Sequence, residues 1–204
     1  MTDFFALLDE PRRPWLDPDR LKQKFLARST EVHPDRVHSA PVSERSAASQ
    51  RYAELNAAYN CLREPKDRLR HLLELERRAP LVDIQAVPPG LTDAFFQLGA
   101  LCKRVDSFLA ERSAVTSPLL KVGFFERAQE WTDQLMDAQR QLNGERDKLL
   151  TELQSLNAAW ESVAETAVAR PHLPLDRLEQ IYRALGYLGR WSGQLQERIV
   201  QLSI

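Results

Sequence analysis

The chain has 204 residues, of which 43% are hydrophobic and 28% charged, a composition typical of folded globular proteins. The formal net charge is −1, which argues against a dedicated nucleic-acid-binding protein because phosphate contacts require an excess of basic residues. The sequence has seven glycines, no run of alternating β-branched residues and no apolar segment of about 18 residues, so we predict an all-α protein without a transmembrane helix.

The first 78 residues are predicted to form two long helices flanked by two short ones. Asp17-Pro18 is typical of a helix N-cap followed by the first helical position. The first long helix should end at His33-Pro34, because a proline disfavours helical geometry in the residue before it. Ser43 is predicted to cap the second long helix, which Glu64-Pro65 should separate from a final short one.

The C-terminal half follows a proline-rich stretch, residues 79–92, which has no helical period and is predicted to be a linker. Beyond it, apolar residues recur at spacings of three and four, which predicts a helical bundle or coiled-coil seam. Asn143-Gly144 is either a turn between two antiparallel helices or a tolerated interruption of one long helix; we favour the turn, because an antiparallel pair buries both apolar faces locally. Asp176 is predicted to cap the last helix. The predicted domains are therefore 1–78 and 93–204.

A tripeptide, His33-Pro34-Asp35, lies at the predicted end of the first long helix. About twenty residues later the second long helix carries Leu55-Asn56-Ala57-Ala58-Tyr59 and ends at Glu64-Pro65. This pattern resembles the J domain, a helical hairpin whose His-Pro-Asp loop docks on an Hsp70-type ATPase. The resemblance covers residues 3–76 and implies a co-chaperone that triggers ATP hydrolysis by its partner and does no catalysis itself.

The resemblance assigns the docking role to a few residues. Pro34 should fix the backbone of the loop beside His33, and Asp35 should offer a carboxylate to an arginine of the partner. Basic residues nearby should steer an acidic partner surface, namely Lys22, Lys24, Arg28 and Arg36. Leu26 and Ala27 stand where the family often has basic residues, and Val32 stands where a tyrosine is usual. We therefore expect a docking surface less basic than is common in the family.

The helical half that follows has no Gly/Phe-rich stretch and no cysteine-rich zinc region, and this plan is similar to that of the Hsc20 (HscB) family. Leu62-Arg63-Glu64-Pro65 and Leu72-Leu73-Glu74-Leu75 are close to the fourth helix of that family, and Leu185-Gly186-Tyr187-Leu188 resembles its last helix. The resemblance implies that the chain brings an iron–sulfur cluster scaffold protein to a specialised Hsp70.

In this family the client is bound by adjacent large apolar residues followed by acidic ones, assisted by an aromatic residue of the last helix. Two segments match in part. Phe95-Phe96 follows the linker but precedes basic residues, whereas Phe124-Phe125-Glu126 precedes acidic ones. We favour the second segment, with Tyr187 as the aromatic residue, and keep Phe95 and Phe96 as the alternative.

No catalytic constellation, metal site or cofactor is predicted. Cys61 and Cys102 are solitary and are interpreted as core thiols of a cytoplasmic protein, and the start of the chain has no secretory signal. Four polar residues near the tripeptide have no spacing that suits a metal site, namely Glu31, His33, Asp35 and His38.

Two other functions stay open. The helical half could serve a different client or self-association, because the apolar seam within residues 124–167 could lie between two chains. The chain could also be a structural adaptor whose J-like domain no longer contacts an Hsp70. The intact His33-Pro34-Asp35 argues against the adaptor.

Overall fold

The computed structural model describes residues 2–37, 39–82, 87–88, 90–116, 122–164 and 173–203, and within them the chain is all-α. The helices of this described part are α1 (Phe4–Leu7), α2 (Pro18–Glu31), α3 (Val42–Arg63), α4 (Pro65–Arg77), α5 (Thr92–Ala114), α6 (Phe124–Ala164) and α7 (Leu175–Ser203), with a 3₁₀ turn at Pro34–Val37. The predicted fold class is confirmed. None of the helices described is long and apolar enough to cross a membrane.

Local chemistry sets several helix ends in the N-terminal part. The Asp17 carboxylate accepts the backbone N–H of Arg20 at 2.8 Å, which confirms the predicted cap of α2. The prediction for α3 is wrong by two residues: the helix begins at Val42, and Pro41 takes the cap position without a side-chain bond. Ser43 therefore lies inside the first turn. The Pro41 carbonyl accepts the N–H groups of Glu44 and Arg45 at 3.0 and 3.1 Å, so the N–H of the third helical residue is bonded without a capping hydroxyl.

The predicted turn at Asn143-Gly144 is also wrong, because α6 passes through it as one helix of 41 residues. Leu142 before the pair and Leu153 after it are both buried, so the apolar face continues across the pair. Gly144 lies on the exposed side of the helix, where its missing side chain leaves no gap. The weak helix propensity of one glycine, about 1 kcal/mol, does not end a helix that buries residues on both sides.

The last helix starts two residues earlier than predicted. α7 begins at Leu175, so Asp176 lies in its first turn and is not its cap. Its carboxylate is still close to the N-terminal end of the helix, where a negative charge is favourable.

Two compact units make up the chain. The first contains residues 1–83 together with 151–182, and the second contains residues 84–150 together with 183–204. The described residues of 151–182, namely 151–164 and 173–182, thus belong to the same compact unit as the N-terminal residues. Of the predicted linker 79–92, residues 83–86 and 89 lie outside the described part of the structure.

In the first unit, α2 and α3 pack against each other, and α3 also contacts α1 and α4. Its largest fully buried side chains are Phe5, Leu8, Leu21, Leu62, Leu69, Leu72, Leu73, Leu153, Trp160, Leu178 and Ile181. Arg68 is buried among them and donates to the carbonyls of Pro14 at 2.9 Å and Leu62 at 2.7 Å. Burial lowers the pKa of Arg68 to about 10, yet both hydrogen bonds fix the cation to the backbone.

In the second unit, α5 and parts of α6 and α7 share one apolar core. Its most deeply buried members are Val105, Phe108, Leu135, Leu188 and Leu195. Phe108 was not predicted as a core residue, although it follows Val105 by three positions, the spacing that places two residues on one helix face.

Candidate functional site

The His33-Pro34-Asp35 tripeptide lies in the connection between two packed helices. α2 ends at Glu31, the 3₁₀ turn covers Pro34–Val37, and α3 begins at Val42. The two helices are joined by a ring stack in which the centroids of Phe25 and Tyr59 are 4.2 Å apart and the planes differ by 12°. The loop is therefore carried by a rigid pair of helices.

His33 is held by contacts on both its ring and its backbone. Its Nδ1 accepts the backbone N–H of Asp35 at 3.3 Å, and its carbonyl accepts the N–H of Arg36 at 3.0 Å. The ring of Tyr52, on α3, meets the imidazole edge-on, with 5.2 Å between centroids and 77° between planes. These contacts leave 42% of the His33 side chain exposed.

Asp35 presents its carboxylate to solvent. The side chain is 90% exposed, and its Oδ2 lies 3.5 Å from Nδ1 of His33. Its backbone belongs to the 3₁₀ turn that starts at Pro34, a residue whose ring restricts φ. The loop can therefore offer an exposed carboxylate to a cationic partner group.

The four basic residues predicted for docking are placed differently. Lys22 and Arg28 are exposed on α2, and Arg36 reaches back to the Thr30 carbonyl at 3.4 Å. Lys24 is held inside the domain, because its ammonium lies 2.9 Å from the buried carboxylate of Glu10. Lys24 therefore contributes to holding the domain together and adds little to an external basic surface.

A cavity of about 280 Å³ opens beside His33, between the end of α2 and the first turns of α3. Arg36 and Arg51 line it together with Glu31 and Glu44. The four charges balance, so this wall of the loop has polar groups but no net charge.

In the second unit, one ring cluster combines residues of α5 and α7. Phe95 meets Phe96 at 5.5 Å and Trp191 at 6.0 Å between centroids, and Trp191 meets Tyr187 at 5.6 Å. Phe95 is 42% and Phe96 66% exposed, whereas Trp191 is buried beneath them. The guanidinium of Arg190 lies 4.3 Å from the centre of the Tyr187 ring. We call these five residues the α5–α7 patch.

The favoured client segment, Phe124-Phe125-Glu126, lies in different surroundings. Phe124 packs against Phe108, with 5.7 Å between centroids, and Phe125 is 73% exposed. The guanidinium of Arg127 covers the Phe124 ring at 5.4 Å and pairs with Glu111 at 2.9 Å. Tyr187 therefore belongs to the same ring cluster as Phe95 and Phe96, to which Trp191 connects it.

Two members of the α5–α7 patch were missed by the sequence analysis. Trp191 received no predicted binding role, although it follows Tyr187 by four positions and must share its helix face. No sequence pattern pointed to Arg190, because its place in the patch depends on its contact with the Tyr187 ring.

Among the described residues, no group of three or more His, Cys, Asp or Glu side chains is placed to hold a metal ion. Of the four residues considered for such a site, His38 lies outside the described part.

Two packed helices with a His-Pro-Asp loop at their connection are the architecture of a J domain. No family model matches the chain. Curated relatives, each named a co-chaperone protein HscB homolog, come from Bordetella pertussis, Bordetella parapertussis and Bordetella bronchiseptica. Each is 44% identical over 72 residues, which is 35% of this chain and 42% of the relative. The match thus spans about two fifths of the length of these relatives.

Solved structures extend the likeness to the whole fold. Chaperone HscB from Vibrio cholerae matches with a TM-score of 0.51 and 21% identity, over 95% of this chain and 99% of that one. Human co-chaperone protein HscB matches with a TM-score of 0.56 and 18% identity, over 100% of this chain and 83% of that one. The expected resemblance to HscB co-chaperones is confirmed, in sequence over 72 residues and in fold over the chain.

Proposed function

We propose that the chain is a co-chaperone that stimulates the ATPase of a partner Hsp70 and delivers an iron–sulfur cluster assembly scaffold protein to it. The observation that carries the proposal is the exposed Asp35 carboxylate in a loop held between α2 and α3. The names of the curated relatives point to the same class of activity. We place its action in the cytoplasm, and assign no catalytic step to the chain itself.

The docking surface is built from the loop and the outer face of α2. Asp35 is the acceptor for a cationic group of the Hsp70, and Pro34 and His33 shape the surface beside it. Lys22, Arg28 and Arg36 supply positive charge for the approach, which acts mainly on the association rate. Lys24 is left out of this surface because Glu10 holds it.

The client surface is the α5–α7 patch. Exposed aromatic side chains over a buried tryptophan are typical of binding hot spots, because they bury a large area at little entropic cost. The patch also brings Tyr187 of the last helix together with Phe95 and Phe96 of α5. The segment at Phe124-Phe125-Glu126 is the competing surface.

The docking role is tested by Asp35→Asn in the full chain, which keeps the size of the side chain and removes its charge. Loss of a charge-assisted contact worth about 1.5–3 kcal/mol predicts a fall of at least tenfold in Hsp70 ATPase stimulation. Asp19→Asn is the matched control, since Asp19 is an exposed carboxylate in the first turn of α2, away from the loop. Stimulation by Asp35→Asn equal to that of the control contradicts the docking role and favours the adaptor.

The client surface is tested with a matched pair of exposed phenylalanines in the second unit. Binding of an iron–sulfur scaffold protein to the full chain is measured by calorimetry for Phe96→Ala and Phe125→Ala. We expect a loss of about 2 kcal/mol, or more than tenfold in affinity, for Phe96→Ala alone. A loss confined to Phe125→Ala moves the client surface to the segment at residues 124–126.

A different client or self-association is the second candidate, because α6 exposes two large apolar side chains, Phe125 and Met136, that another protein can cover. Absence of scaffold binding to the unchanged protein favours this candidate. Sedimentation of the same sample then decides between a dimer, which supports self-association, and a monomer, which supports a different client.

A further inference from the structure

The His33 imidazole is fixed by two kinds of contact. Its Nδ1 accepts the backbone N–H of Asp35, which belongs to the same loop and moves with it. Its ring contact comes from Tyr52, which lies in the third turn of α3. Tyr52 therefore fixes the position of the imidazole relative to α3, whereas the hydrogen bond fixes it only relative to a neighbouring residue of the loop.

Tyr52 is held in place by the packing of α3. α3 packs against α2, and Leu55, three residues after Tyr52, is buried in the core. Val32, which precedes His33 and ends α2, has no ring to offer the imidazole. The edge-on arrangement of Tyr52 and His33 is one of the favourable geometries of aromatic pairs.

We propose that Tyr52 is the positioning residue of the docking loop, which holds the His33 imidazole in the orientation that an Hsp70 recognises. This inference rests on the proposed function. Tyr52 acts through His33 by reducing the conformational freedom that the loop loses on binding. A ring contact of this kind contributes a factor of about 2 to 10 in affinity, which corresponds to about 0.4–1.4 kcal/mol.

The test compares Tyr52→Leu with Tyr52→Phe in the full chain. Leucine is apolar and a good helix former, so it keeps α3 while removing the ring, and phenylalanine keeps the ring edge. Hsp70 ATPase stimulation is measured against co-chaperone concentration. We expect Tyr52→Leu to raise the half-saturating concentration 2- to 10-fold with the maximal stimulation retained, and Tyr52→Phe to match the unchanged protein. Equal curves for all three proteins, or a loss in both variants, overturn the inference.

A structural role for Tyr52 is separated from a positioning role by a second measurement. The order parameter of the His33 ring C–H bonds, from NMR relaxation, should fall in Tyr52→Leu and stay unchanged in Tyr52→Phe. Tyr59→Leu is the matched control, because it removes a ring of α3 that stacks on Phe25. It should lower the stability without changing the His33 order parameter. An unchanged His33 order parameter in Tyr52→Leu overturns the inference.

Two further results keep the test decisive. If Tyr52→Leu has lost helical circular dichroism, Tyr52→Met, which is also unbranched and apolar, takes its place under the same criteria. Asp35→Asn in the same assay reports on the proposed function. Retained stimulation by Asp35→Asn rejects Hsp70 docking itself, while its loss together with an unaffected Tyr52→Leu rejects only the role of Tyr52.

Discussion

Trp160 gives the strongest stability prediction, because it joins residues that are far apart in the sequence within the first compact unit. Its side chain is 2% exposed, and its Nε1–H donates to the carbonyl of Arg12 at 2.7 Å. Close by in sequence, Asn157 accepts the backbone N–H of Trp15 at 3.3 Å. The connection between α1 and α2 is therefore attached to the end of α6.

Two substitutions separate the contributions of this side chain. Trp160→Phe removes the hydrogen bond, worth about 1 kcal/mol, and leaves a small cavity that costs roughly another 1 kcal/mol. Trp160→Ala removes the whole ring and should cost about 3–5 kcal/mol. The expected order of stability is unchanged protein, then Trp160→Phe, then Trp160→Ala.

Urea unfolding followed by circular dichroism measures these differences, analysed by linear extrapolation for each transition that is observed. Trp131→Phe is the matched control, since Trp131 is only half-buried and lies in the second unit. We expect it to cost less than about 1 kcal/mol. A cost below about 1 kcal/mol for Trp160→Ala refutes the reasoning, because a ring buried in a packed core cannot be removed so cheaply.

Two other predictions follow. The Nε2 of His71 accepts the Phe4 N–H at 3.0 Å, and burial lowers the pKa of His71. The contribution of the neutral imidazole to stability is therefore complete above about pH 6.5 and is lost as pH falls below that value. His71→Phe should flatten this pH dependence in unfolding experiments between pH 7 and 5. Gly144→Ala should stabilise the protein by about 1 kcal/mol in thermal unfolding, because Gly144 lies within α6. Gly90→Ala should destabilise the protein, because φ is 89° at Gly90. Stabilisation by both variants contradicts the argument.

Signals carried by one or two neighbouring residues predicted the fold most accurately. The cap at Asp17 and the break at Glu64-Pro65 are both present, because a side-chain acceptor and a missing N–H act within one helical turn. The errors at Ser43 and Asp176 are each a shift of two residues in the start of a helix.

The turn at Asn143-Gly144 was mispredicted for a different reason. A glycine in a helix costs a fixed amount, while the burial that offsets it depends on side chains many residues away. Leu135 and Leu153 are both fully buried, yet they lie in different compact units of the fold. Sequence periodicity shows that both lie on apolar faces but not that one continuous helix carries both.

In the candidate site, too, residues adjacent in sequence could be predicted and contacts between distant residues could not. The His33-Pro34-Asp35 loop could be predicted because its three residues are adjacent in sequence. The α5–α7 patch could not, because Phe95 and Trp191 are almost a hundred residues apart and become neighbours only through helix packing. Acidic residues after Phe124-Phe125 favoured that segment as the partner of Tyr187, and charge pattern carries no information on which helices meet.

Two tyrosines of α3 contact the loop and the neighbouring helix, and their spacing is visible in the sequence. Tyr52 and Tyr59 are seven residues apart, about two helical turns, so their rings lie on the same face of α3. Tyr59 uses that face to stack on Phe25 of α2, and Tyr52 uses it to meet His33 just beyond the end of α2. The packing that holds the two helices together therefore also places Tyr52 against the imidazole, so the orientation of the loop is a consequence of the fold and needs no separate element to maintain it.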